Sequence, residues 1–249
     1  MLTIPSGNDL KVDANEKEEN RLLECSRAWL EKEERSDGIH VSDLLDPMYA
    51  WHQKKAKDKD RRLLDREVTT FLVGKVLHAF IISAMDGKKG TDWASDEGSK
   101  HNSKLGLEYS IDYIDKVPTE IKTSRSFYEP KSIKDLSMYL EQELCYMVAE
   151  KSLQGKLWIL YLNIKDEQGR TAPAYRAYDI TVSKEALDEY ENQMLEIRTK
   201  LIAALKKSKP SGLPLCRTWK CGIKMCKYWS TCKPEGRFNK PEKEWKLKN

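Results

Sequence analysis

Residues Asp112 to Lys122 read Asp-Tyr-Ile-Asp-Lys-Val-Pro-Thr-Glu-Ile-Lys. An apolar run ends on one carboxylate, a tight polar turn follows, and a second run carries Glu-Ile-Lys. Residues two apart on a strand share a face, so Glu120 and Lys122 point the same way and Ile121 points into the opposite layer. If the two runs pair as a hairpin, Asp112 comes close to Glu120. Two carboxylates beside one ammonium suit a hard divalent cation and a water molecule that must lose a proton. Such a set is equipped to cut a phosphodiester. A third of the chain is charged, however, and a surface hairpin of alternating charge carries the same tripeptide by chance. The elements around the hairpin therefore have to decide.

Two helices are predicted there. Asp65 to Met85 has helical spacing, with Val68, Phe71, Leu72, Val76, Leu77, Phe80 and Ile81 apolar. Gly74 and His78 share one of its faces. A glycine inside a helix costs about 1 kcal/mol relative to alanine, which predicts a close approach at Gly74. A single histidine on an apolar helix is more often a satisfied core residue than a ligand. Ser132 to Leu153 predicts a second helix, with Leu136, Tyr139, Leu140, Leu144, Met147 and Val148 as its stripe. Gln142 and Tyr146 share a face. An amide and a phenol so placed can hold phosphate or base edges, or can be ordinary half-buried polar residues.

In chain order these are Gly-x-x-x-His, Asp, Glu-x-Lys and Gln-x-x-x-Tyr. Gly74 to His78, Asp112, Glu120-Ile121-Lys122 and Gln142 to Tyr146 resemble the motifs of the RecB-like branch of the PD-(D/E)XK nuclease superfamily. The branch often has glycine three residues before its aspartate, where this chain has Tyr109. The resemblance spans about Ile39 to Cys232. It implies a restriction-endonuclease-like α/β fold, a mixed central sheet of four or five strands flanked by helices. It also implies a metal-dependent deoxyribonuclease, an exonuclease acting on single-stranded DNA or DNA ends. On this resemblance, His78, Asp112, Glu120 and the Ile121 carbonyl would bind Mg²⁺ or Mn²⁺. Lys122 would orient or help deprotonate the attacking water, and Gln142 and Tyr146 would steady the substrate or Lys122. Partner proteins of recombination, replication or CRISPR adaptation are implied as well. The competing reading is a non-catalytic DNA-binding or scaffold protein with the same fold and a structural zinc site. Intact Asp112, Glu120 and Lys122 argue against it.

A second signal lies near the C-terminus, where Cys216, Cys221, Cys226 and Cys232 fall within seventeen residues. The N-terminus lacks the basic-then-apolar pattern of a secretory leader, and no apolar stretch is read as a membrane span. The expectation is a cytoplasmic protein without a membrane partner, whose clustered thiols stay reduced and bind metal. Zinc suits such spacings, and a [4Fe–4S] cluster also takes four thiolates. Trp219-Lys220-Cys221 and Cys226 to Cys232 are similar to the ending of the CRISPR-associated iron–sulfur exonucleases and AddB-type helicase–nucleases. That likeness favours the cluster, with Zn²⁺ as the alternative. In those families the first ligand follows a Val-Ser-Asp-Leu-like segment. Here that segment is Val41-Ser42-Asp43-Leu44 and no cysteine follows, so the fourth ligand is Cys216 or Cys25. Cys216 is favoured, because Cys25 is read as a buried packing thiol beside Leu22, Leu23 and Trp29; Cys145 is also read as packing.

Charge divides the chain. Residues 206–249 carry thirteen Lys or Arg and three acidic residues, a net +10, whereas residues 1–205 are net −6. A basic segment with Trp219, Tyr228, Trp229 and Trp245 interleaved suits phosphate contacts and base stacking, and beyond Pro234 it also suits a solvated lysine tail. Three regions follow: a helical segment over 1–38, a nuclease-like core over 39–207, and a cysteine element with a basic tail over 208–249. Ser42 is expected to cap a helix running through Trp51, and Asp86 to Lys104 a long loop bordering the cleft. Strands are expected over Leu157–Ile164 and Tyr175–Val182, and Ser183 is expected to cap a helix to about Lys207.

Overall fold

The computed structural model describes residues 16–31, 36–56, 62–87, 99–166, 168–214, 216 and 226–232. Among the described residues four helices come first: α1 (Glu16–Glu31), α2 (Val41–Leu45), α3 (Pro47–Lys55) and α4 (Asp65–Met85). A two-stranded antiparallel ribbon follows, β1 (Lys100–Asn102) and β2 (Leu107–Tyr109). The central sheet then begins with the hairpin of β3 (Tyr113–Asp115) and β4 (Val117–Ser124). Asp115 pairs with Val117, which leaves Lys116 alone at the turn with φ of 64°. β5 (Gln154–Lys165) lies parallel to β4. Parallel neighbours need a crossover, and α5 (Ser137–Glu150) supplies it after a 3₁₀ turn over Ile133–Leu136. β6 (Thr171–Thr181) returns antiparallel at the edge, giving the order β3-β4-β5-β6. α6 (Lys184–Leu205) follows, its first turn capped by Ser183 Oγ accepting from the Ala186 amide at 3.2 Å. The short α7 (Trp229–Cys232) closes the described chain.

Strand alternation divides the sheet residues between two layers. Ile121 and Leu160 pack under Ile81 and Ile82 of α4. Leu157, Ile159 and Tyr161 face the other way, onto Leu136, Tyr139 and Leu140. Ile121, Leu157 and Ile159 are fully buried, each stabilising the fold by about 1.5–3 kcal/mol relative to exposure. A further layer of α2, α5 and α6 closes over Leu105, Leu107 and Ile111. α3 packs on the end of α6, where the Trp51 indole donates to the Ala204 carbonyl at 2.9 Å.

Several expectations are corrected. The helix expected to run from Ser42 through Trp51 is two helices, because Pro47 opens α3 at its first position and disfavours helical backbone at Asp46. α2 is entered from His40, whose amide donates to Asp43 at 2.9 Å. Cys25 is exposed. The buried side of α1 is Arg27 and Leu30, and Arg27 ion-pairs with Glu24 and with Asp65 at the start of α4. The expectation of no span-like segment also fails, since α4 is long and apolar enough to cross a membrane by length and composition. One face of α4 seats Ile81 and Ile82 on the sheet, while Phe71, Val73, Val76, Phe80 and Met85 are exposed. Of the expected loop, Lys100–Asn102 is β1 and residues 88–98 lie outside the described residues. The turn after β1 needs Gly106, whose φ is 59° and whose added Cβ would stand 2.3 Å from Arg198 Nη2.

Candidate active site

The β3–β4 hairpin sets Asp112 beside Glu120, because Tyr113 pairs with Thr119 one step further along. The Ile121 amide donates to Asp112 Oδ2 at 2.8 Å, which fixes the carboxylate at the strand end. The parallel register places Glu120 beside Leu157 and Lys122 beside Ile159, so both side chains rise on the α5 face. There Lys122 ion-pairs with Glu120 and donates to Gln142 Oε1 at 2.9 Å. The Gln142 amide nitrogen donates in turn to the Tyr146 hydroxyl at 2.8 Å. One continuous chain of contacts thus runs Glu120–Lys122–Gln142–Tyr146, with half its members on β4 and half one turn apart on α5.

His78 reaches the site from α4, on the opposite side of the sheet. Its Nδ1 stands 3.7 Å from Asp112 Oδ2, with both side chains about one-fifth exposed. The structure therefore brings His78 to Asp112, and Glu120 to Lys122, as two pairs rather than one ring. Among the described residues no three His, Cys, Asp or Glu side chains stand close enough to grip an ion as placed. The sheet is the physical reason: Asp112 lies at its edge, whereas Glu120 projects from one face and the histidine comes from the other. Gly74 is also not what its helix position suggests, since an added Cβ would meet nothing within 4 Å.

A further acidic residue belongs to this site. Glu143 lies beside Gln142 on α5 and is fully buried, as is Glu120. The Gly155 position, at the start of β5, makes room for it: an added Cβ there would stand 2.3 Å from Glu143 Oε1. Burial pushes the Glu143 carboxyl up to about 9, with the nearby Glu120 and Asp112 charges adding to the shift. The backbone amides of Lys156 and Glu120 face it and pull the other way, but neither completes a hydrogen bond. Burial likewise raises Glu120 to about 8; Lys122 opposes the rise and Asp112 adds to it. Burial works to lower Lys122, but Glu120 and Asp112 outweigh it and hold the ammonium above its usual range. Burial, then Glu120 and Asp112, push the Tyr146 phenol well up, so it stays a neutral donor and acceptor. Beyond the ion pair with Lys122, the Glu120 oxygens accept no hydrogen bond among the described residues. Sequence reasoning assigned Glu143 no role. The signal available was a carboxylate one position from Gln142 and one turn before Met147, on the side of the helix that meets the sheet.

The cysteine element is partly described. Cys216, Cys226 and Cys232 are not in disulfides, and they line one cavity of about 10 Å³ with Met48, Tyr49, His52, Tyr228 and Trp229. Burial raises the Cys226 thiol, and the nearby Cys216 adds to the shift. Cys221 lies outside the described residues, as do Trp219 and the basic tail from residue 233. Cys145 is buried among α2, α5 and α6 residues.

No family model and no curated protein matches the chain. Among solved structures, it is similar to SSO0001 with a TM-score of 0.55 at 18% identity, over 86% of this chain and 95% of that one. It also aligns with an alkaline exonuclease (LHK-Exo) from Laribacter hongkongensis, with a TM-score of 0.38 at 15% identity over 74% and 94% of the two chains. The same exonuclease in complex with dAMP aligns with a TM-score of 0.37 at 14% identity over 68% and 90%. The likeness to SSO0001 shows a shared fold, the mixed sheet flanked by helices described above.

Proposed function

We propose that the chain is a divalent-metal-dependent deoxyribonuclease that hydrolyses phosphodiester bonds at DNA ends or in single strands. The observation that carries this reading is the chain of contacts from Glu120 through Lys122 and Gln142 to Tyr146, with Asp112 beside it. Three acidic side chains, Asp112, Glu120 and Glu143, lie near one another in a mostly buried setting, with the Lys122 ammonium beside the first two. That concentration of negative charge is costly without a cation. His78, Asp112, Glu120 and the Ile121 carbonyl would hold Mg²⁺ or Mn²⁺, hard or borderline donors of the type those ions accept. The bound ion supplies acidity to water and positive charge against the phosphate.

The remaining work falls to the chain's own groups. The Lys122 ammonium, anchored by Glu120 and Gln142, presents positive charge and a donor to the phosphate oxygens and to an attacking water. Gln142 fixes the direction in which that ammonium points. Tyr146 fixes Gln142. The Asp112 carboxylate, held by the Ile121 amide, keeps a set position at the open end of the hairpin. The C-terminal element is assigned a structural metal centre built on Cys216, Cys221, Cys226 and Cys232, with a [4Fe–4S] cluster or Zn²⁺ as its occupant. Three thiols on one cavity of single-ion size support the Zn²⁺ form.

The test is end-labelled single- and double-stranded DNA incubated with full-length protein freed of divalent ions, then with added Mg²⁺ or Mn²⁺. Degradation should depend on the ion and disappear in Asp112→Ala and Lys122→Ala. Undiminished cleavage in EDTA, or by the Lys122→Ala protein, would rule the reading out.

A further inference from the structure

His52 takes no part in the chain of contacts at the active site, yet it is among the few polar side chains of the interior, 5% exposed on α3. Its Nε2 lies 2.7 Å from Cys232 Sγ, across a sequence separation of 180 residues. Its ring stacks on Tyr228 at 5.3 Å between centroids and 18° between planes, and meets Trp51 edge-on at 5.0 Å. The imidazole is thus held in one orientation, with one nitrogen turned to the cysteine cavity.

A thiol–imidazole hydrogen bond is the ordinary explanation of such a contact, and it accounts for one thiol. It does not account for Cys216 and Cys226 lining the same void. That void, about 10 Å³, matches roughly one water-sized sphere. The rest of its wall is apolar or aromatic. Three thiols and one imidazole line this space; as placed they stand too far apart to grip an ion, but they are the donor types structural zinc uses. Imidazole also replaces thiolate on iron in some iron–sulfur centres.

We propose that His52 is a ligand, through Nε2, of the thiolate-held metal centre, joining Cys232 and Cys226 from the C-terminal segment to α3. The proposal rests on the metal centre assigned above and puts a nitrogen donor in place of one of its four sulfurs, since structural zinc takes four ligands. An ion between Cys232 and His52 would part them from 2.7 Å to about 3.5 Å, the spacing of sulfur and nitrogen on one tetrahedral zinc. The other thiols would close in from the cavity wall. The centre would then staple α3 to the end of the chain, and the stacked Tyr228 would fix the ring.

The test uses full-length protein purified without oxygen. Metal analysis identifies zinc or iron, and X-ray absorption at the edge of that metal reads its nearest atoms. The expected result is stoichiometric metal with sulfur neighbours and one nitrogen at about 2.0–2.1 Å carrying the outer-shell pattern of imidazole. His52→Phe keeps an aromatic ring against Tyr228 and removes the donor. It should fold, by circular dichroism, and lose the nitrogen signal together with at least half of the metal. A wild-type centre with sulfur neighbours alone overturns the proposal while leaving the metal centre intact, as does a nitrogen signal that survives in His52→Phe. Wild-type protein with neither zinc nor iron overturns both.

Discussion

Lys122 and Gln142 meet at 2.9 Å across the crossover from β4 to α5. The contact turns a flexible side chain into a fixed one, because the ammonium is held at two points, by Glu120 and by the amide oxygen. Removing the amide should leave Lys122 charged but poorly aimed. Gln142→Leu is expected to lower kcat by about 10- to 100-fold, the equivalent of one hydrogen bond to a charged group, with little change in KM. Steady-state kinetics on a defined oligonucleotide check this. An unchanged kcat would remove Gln142 from the catalytic arrangement.

The buried carboxyls make stability depend on pH. Glu120 and Glu143 bind their protons up to about 8 and about 9 in the folded protein, against an ordinary value of 4.5. Between these limits the unfolded chain has released protons that the folded chain retains. Their contribution is therefore complete below about pH 4.5 and is lost as the pH rises through about 8 and 9. Metal-free protein should show a urea midpoint that falls steadily from about pH 5 to about pH 9. Glu143→Gln, which has no proton to lose, should flatten the slope. A wild-type midpoint that stays level across this window contradicts the burial of the pair.

Gly155 and Glu143 occupy adjoining space. Gly155→Ala forces its methyl against the Glu143 carboxylate and the Met147 sulfur, which lies 2.8 Å from the added Cβ. A loss of about 1–3 kcal/mol is expected, the usual penalty of overpacking. Glu143→Ala opens the same space, so the glycine substitution should cost much less in that background. Urea unfolding of the four proteins measures the coupling between the two sites. Additive losses would show that the two residues do not share the space.

Much of this architecture is legible in the residues. The hairpin carrying Asp112 and Glu120 follows from strand alternation and the tight polar turn between its two runs, which the structure places at Lys116, and the opposed directions of Ile121 and Lys122 follow from the same rule. α4, α5, the β5–β6 pair and the Ser183 cap follow from periodicity and capping. Other features are not local and so are not legible. Glu143 reads as a solvated helix residue until β5 is laid across it. Cys25 reads as a core thiol because Leu22 and Trp29 stand near it, but the α1 side that packs is organised by Arg27. The distance between His78 and Glu120 depends on which side of the sheet α4 occupies, which no spacing in the sequence encodes. His52 was invisible because its partner is 180 residues away.

The indole of Trp51 and the carbonyl of Ala204 carry a consequence for synthesis. Their hydrogen bond joins residues 153 positions apart. On a ribosome adding about 5–20 residues per second, α3 emerges roughly 8 to 30 s before the end of α6 exists. During that interval Met48 and Trp51 have no surface to cover them, and His52 has neither Tyr228 nor Cys232. The apolar face of α3, set in an otherwise highly charged stretch of chain, therefore waits uncovered while α6 is still being made.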